Sequence, residues 1–173
     1  GSSLATITED GFAVLDREKL SVLSQRTYSA DGAEREEQVK NDLANACISK
    51  GKRPSVETSM HNAIGFSYVV HLHPTLVNGL MCSNNAESDL RKLFGEKALY
   101  IPYTDPGYVL FKVVEDSIAA HRKTFGEEPS VIWLQNHGIF VAANSIDEIK
   151  TIYTAIIETL EREEIARLAK TLP

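Results

Sequence analysis

Three histidines and one glutamate carry the residue types and spacings from which chemistry could be built. His71 and His73 stand one residue apart in "VVHLHP", at the end of an apolar run. Side chains two apart on a strand point to one face, so the two imidazoles project together while Leu72 faces the opposite layer. That geometry suits two nitrogen ligands on one metal ion. It suits equally well two polar side chains at the end of a sheet. His137 interrupts "WLQNHGIFV", whose flanking runs are composed for burial. The "NHG" is either a turn between paired strands, with Gly138 supplying conformational freedom, or a hinge that lifts His137 beside His71 and His73. Three histidines with an open coordination position make a catalytic centre rather than a closed structural one.

Glu57 is the best carboxylate candidate. It lies just after "RPS" at the start of an expected helix, and the i, i+4 relation puts it on the same face as His61. A glutamate beside a metal can remove or return a proton; by position alone, Glu57 reads as an acid at a helix N-terminus. His61 is either a neighbour of the site or solvent-facing. His121 is expected on the solvated face of a long charged helix. The two "EREE" runs, residues 34–37 and 161–164, read as solvated helix faces or caps. Tyr100, Tyr103 and Tyr108 cluster around "IPYTDPGY", where aromatic packing is the expected role. Tyr103 could also offer a hydroxyl to a site.

The elements that must position these groups can be read along the chain. "LATIT" and "FAVLD" flank "EDG" as an expected hairpin. A short helix is expected over 16–23 and a charged amphipathic one over about 33–49, stopped by Gly51 and Pro54. "SVETSMHNAI" makes another helix with Ser55 near its cap, and "SYVVHLH" a strand that Pro74 ends. Helices over "TLVNGLMC" and "NAESDLRKLFG", a strand at "ALYIPY" and a long helix over "YVLFKVVEDSIAAHRKTFG" follow. Strands "SVIWLQ" and "GIFVAA" then precede a last helix running from Ile146 into residues 165–170. This alternation predicts an α/β domain, its central sheet mixed and largely antiparallel.

At 173 residues the chain suits one domain. Apolar residues make up 43% and charged residues 24%, the proportions of an ordinary globular protein. A net charge of -6 lends no support to nucleic-acid or anionic-membrane binding. Cys47 and Cys82 form no CxxC pair, so reduced thiols are expected. No apolar run approaches the ~18 residues of a membrane span, and a cytoplasmic location is expected. Neither GxGxxG nor GxxxxGK[ST] is present.

Taken in order, "RPSVETSMH", "YVVHLHP", "IPYTDPGY" and "LQNHGIFV" resemble the class II aldolase/adducin family, close to rhamnulose-1-phosphate aldolase-like domains. The resemblance runs from about Leu4 to Glu164. It implies a three-layer α/β/α fold, a homotetramer with sites at subunit boundaries, and one divalent metal ion, typically zinc. On matching positions it makes His71, His73 and His137 the metal ligands and Glu57 the catalytic acid/base. The implied reaction is that of an aldehyde-lyase: reversible cleavage of a phosphorylated keto-sugar into dihydroxyacetone phosphate and an aldehyde. A pentulose-phosphate epimerase using the same chemistry and a non-catalytic adducin-like interaction domain are the alternatives. The family's "GN-S"-type phosphate loop does not precede Leu4. Residues 1–173 are therefore expected to form a domain of this type without its usual N-terminal segment of about 40 residues.

Overall fold

Capping and turn residues place most of the elements. A computed structural model of the chain describes residues 6–171, which divide into two compact units.

One unit takes the segment up to Ala63 together with Pro106–Lys112. Asp16 opens α1 (Arg17–Leu20) by accepting from the backbone N–H groups of Glu18 and Lys19 at 2.9 and 3.2 Å. After α2 (Val22–Gln25), Asp31 caps α3 (Gly32–Ala46) in the same way, through Glu34 N at 2.9 Å. Val39, Leu43 and Ala46 form the buried stripe of α3. Asp42, on the same helix, accepts from Arg26 Nη1 and from the Tyr28 hydroxyl, both at 2.7 Å. α4 (Thr58–Ala63) follows a turn in which Ser55 Oγ accepts from Glu57 N.

Three expectations for this unit do not hold. The hairpin around "EDG" lies partly on Leu4 and Ala5, outside the described residues, and the rest of it does not form. Residues Glu9–Gly11 make a 3-10 turn instead, with Gly11 N donating to Thr8 O at 2.7 Å. The backbone at 14–16 pairs with the segment after α3, through a Leu15–Cys47 bridge and bonds from Ile48 N to Val14 O and from Asp16 N to Ala46 O, each 2.8 Å. That pairing also ends α3 three residues before its expected limit, because Cys47 must be extended (φ -77, ψ 119) to make the bridge. Nor is the first "EREE" run wholly a solvated face. The Glu36 carboxylate accepts from Tyr108 N at 3.2 and 3.4 Å, at the start of α7 (Tyr108–Phe125), where negative charge complements the helix dipole.

The other unit, Ile64–Asp105 with the chain from Val113 onward, holds the sheet. Its strands are β1 (Tyr68–Leu72), β2 (Leu99–Ile101), β3 (Val131–Leu134) and β4 (Gly138–Ala143), in the order β1-β4-β3-β2. β1/β4 and β3/β4 are antiparallel and β2/β3 parallel, so the sheet is mixed and largely antiparallel, as expected. Its members alternate as a two-sided sheet must. Trp133, Ile139, Val141 and Ala143 pack with α5 (Thr75–Met81), α6 (Ala86–Phe94) and α8 (Ile146–Thr171) in one core. The intervening Ile132, Leu134, Phe140 and Ala142 are equally buried on the opposite face. The architecture is α/β.

Candidate metal centre

β1 and β4 deliver the histidines. His71 is registered opposite Phe140, and its ring stacks on that phenyl at 4.2 Å between centroids. Its Nδ1 lies 3.1 Å from the Ile139 carbonyl. A carbonyl can only accept, so Nδ1 carries the proton and Nε2 keeps its lone pair. This is the arrangement by which a second partner fixes the tautomer of a ligating histidine. His73 follows two residues on, past the end of β1, and its Nε2 lies 2.9 Å from that of His71.

His137 arrives through the β3–β4 hairpin. Leu134 pairs with Gly138, leaving Gln135, Asn136 and His137 to turn the chain. Asn136 takes the left-handed conformation at φ 55, which asparagine tolerates better than most residues. The turn is held from three sides: Gln135 N donates to Ile101 O at 3.0 Å, Asn136 N to Met81 O at 3.2 Å, and His137 N to Leu134 O at 3.2 Å. His137 Nε2 then lies 3.3 Å from His71 Nε2. Gly138 does not supply the positive φ expected of it. Its lack of a side chain serves a different end: a Cβ there would meet His73 Cδ2 at 2.5 Å and the Leu72 carbonyl at 2.6 Å.

One ring nitrogen from each of His71, His73 and His137 lies within 4.8 Å of the other two. His73 is exposed and the other two are half-buried, so the cluster is open on one side. Metal–nitrogen bonds of about 2.0–2.1 Å place tetrahedral ligands about 3.4 Å apart and ligands at a right angle about 2.9 Å apart. The separations of His137 and His73 from His71, 3.3 and 2.9 Å, lie within the range spanned by those two values. Ring nitrogens this close repel one another unless a cation or a proton lies between them. The residues therefore fit a divalent metal ion held on three imidazoles, with coordination positions left for another ligand.

The remaining candidates fall as follows. Glu57 is half-buried in the turn that enters α4, one residue before the helix, and His61 N donates to its carbonyl at 3.1 Å. Both belong to the unit without the sheet. Tyr103 is exposed, its hydroxyl donating to Asp105 at 3.1 Å and its backbone N–H to the Gln135 side chain at 2.9 Å. The bond to Asp105 raises the Tyr103 hydroxyl above the usual phenol range. His121, expected in solvent, is buried at 6% exposure. Val114, Ile118 and His121 recur at helical spacing, so the histidine continues the buried stripe of α7. The signal was present, but neighbouring charges hid it. Gln135 was missed altogether; its place next to "NHG" was the available hint.

Comparison with known proteins gives the chain's family and fold. The sequence pattern of the class II aldolase and adducin N-terminal domain matches residues 1–163. The chain is 26% identical over 166 residues to "Uncharacterized oxidoreductase YuxG" of Bacillus subtilis (strain 168), covering 95% of this chain and 22% of that protein. It thus spans about a fifth of the length of that curated relative. Among solved structures it is similar to the N-terminal class II aldolase domain of a conserved protein from Thermoplasma acidophilum, with a TM-score of 0.75 at 22% identity over 94% of this chain and 70% of that one. An aldolase II superfamily protein from Pseudomonas syringae gives a TM-score of 0.53 at 16% identity, over 72% and 52% of the two chains. These structural likenesses are likenesses of fold. Among the described residues no helix is long and apolar enough to cross a membrane.

Proposed function

The chain belongs to the class II aldolase and adducin N-terminal domain family, and from that premise we propose a divalent-metal-dependent aldolase acting on a phosphorylated keto-sugar. The convergence of His71, His73 and His137 carries the reading. Zinc is the expected ion, because three neutral imidazoles with an open position are a catalytic zinc ligand set. Bound there, a divalent ion supplies Lewis acidity to a ketose carbonyl and its neighbouring hydroxyl.

The chain's own residues do the rest. His71, oriented through Ile139 O, offers a fixed lone pair, and neutral imidazoles leave the positive charge of an ion largely unquenched. Glu57 is the proposed acid/base, moving the proton at the nucleophilic carbon of the dihydroxyacetone phosphate half. Cleavage then yields dihydroxyacetone phosphate and an aldehyde; condensation is its reverse.

Metal analysis followed by an aldol-cleavage screen tests the proposal. The purified chain should carry one equivalent of divalent metal, the His137→Ala variant should lose it, and ketose 1-phosphates should release dihydroxyacetone phosphate. A chain that takes up no metal, and whose stability and activity ignore added zinc, would sink the reading. A stoichiometric metal with exchange at a sugar carbon but no cleavage would move it to epimerisation.

A further inference from the structure

At the end of β3 opposite the His137 hairpin, the sheet unit contains a cavity of about 390 Å³. Phe94 of α6, His121 of α7, Val131 and Trp133 of β3, and Ile152 and Ile156 of α8 line it. The volume lies within the range of small-molecule sites, and the walls are mainly apolar. Phe94 and Trp133, their ring centroids 4.7 Å apart and their planes tilted by 39°, form an aromatic side.

Lys97, Glu127, Glu128, Ser130 and Thr159 also reach the lining, and His121 is the polar side chain among them that is buried. It is only 6% exposed, and its imidazole makes a ring contact with Phe125 at 4.7 Å but no hydrogen bond to another described residue. A neutral imidazole carries one donor and one acceptor, and buried polar groups are nearly always satisfied. The charges around the cavity are already matched. Lys97 Nζ pairs with Glu127 at 2.9 Å, and Arg122 pairs with Glu128. Glu128 Oε2 is buried in the lining without a hydrogen-bond partner among the described residues, and an unpaired carboxylate oxygen there argues against a sugar phosphate.

We propose that this cavity is a second ligand site, taking a small uncharged molecule with an apolar ring or branched body and one hydroxyl or carbonyl that bonds to His121. Burial holds the His121 imidazole below its ordinary range, consistent with a neutral hydrogen-bonding partner. The proposal stands apart from the metal reading, since none of the three clustered histidines lines the cavity.

Trp133 is the chain's single tryptophan and lies in the wall, so its emission reports occupancy directly. Cyclohexanol is the probe. Its titration into the 173-residue chain should give a saturable change in emission. Ala155→Phe, which fills the mouth, should weaken binding more than tenfold, and His121→Leu by about tenfold, the effect of one lost hydrogen bond. A linear, non-saturating response, or equal binding by the wild type and a folded Ala155→Phe chain, overturns the proposal. Should Ala155→Phe fail to fold, nuclear Overhauser contacts in the wild type decide. Contacts from cyclohexanol to the Trp133 indole and Ile156 methyls support the site, and their absence at high probe concentration overturns it.

Discussion

Gly138 and His73 compete for one space: a Cβ on residue 138 would stand 2.5 Å from His73 Cδ2. Real atoms cannot approach so closely, and the second obstacle, Leu72 O at 2.6 Å, is backbone that cannot rotate away. The glycine therefore lets β1 and β4 close at the level where the two histidine-bearing ends meet.

Gly138→Ala should weaken zinc binding by about tenfold to a hundredfold, the range seen when groups supporting metal ligands are disturbed. Overpacking should also lower stability by about 1–3 kcal/mol. Competition with a chromophoric chelator measures the first effect and urea unfolding the second. Unchanged zinc affinity would show that His73 is not positioned by this contact.

Acid stability is expected to depend on His121. Burial lowers its pKa from 6.5; Glu127 and Glu128 oppose the shift, and Lys97 adds to it. The folded chain thus binds that proton less readily than the unfolded one. The associated stability is fully present above about pH 6.5 and is lost as pH falls toward the folded value. Urea midpoints of the wild type and His121→Leu, compared between pH 8 and 5, should diverge from one another only below about 6.5. A constant difference across that range would contradict the buried placement.

Alkaline stability should depend on Tyr28. Burial chiefly, and then the hydrogen bond to Asp42 and its charge, raise the hydroxyl well beyond the usual phenol range. The unfolded chain releases this proton near pH 10 while the folded chain keeps it, so the stabilisation is present below about pH 10 and lost above it. Tyr28→Phe should flatten that loss. At neutral pH it should cost about 1–3 kcal/mol, since Asp42 loses one of its two short bonds. Thermal melts at pH 8 and above 10 test both statements.

The parts of the fold legible in the sequence were those where one physical signal acts alone. "SVIWLQ" and "GIFVAA" are apolar on both faces and stopped by "NHG", so buried strands with a turn between them followed directly. The HxH spacing put two imidazoles on one side of β1, and the register opposite Phe140 sets their direction. What was hidden depends on distant partners. Asp10–Gly11 is a fair hairpin signal, but residues 14–16 gain more by pairing with the chain around Cys47. Gly138 looked like a flexible turn residue because its neighbour His73 lies 65 positions earlier. Gln135 looked ordinary because its partner Tyr103 lies 32 positions earlier.

Glu57→Gln separates binding from chemistry. The substitution keeps size and shape but removes the charge and the proton-accepting carboxylate. Glu57 contributes its backbone to the entry of α4, where Ser55 Oγ accepts from its N–H and its carbonyl accepts from His61 N. Neither of these two bonds involves the carboxylate, so both should survive the substitution. If the carboxylate moves the proton at the reacting carbon, turnover should fall by about 100-fold or more, the usual range for a lost acid/base being 10²–10⁴. Metal content should stay at one equivalent, because the three imidazoles are untouched. KM should change much less than kcat, since the group acts on the transition state rather than on substrate binding. Loss of metal together with activity would make Glu57 a ligand or a support of one, and retained turnover would remove it from the chemistry.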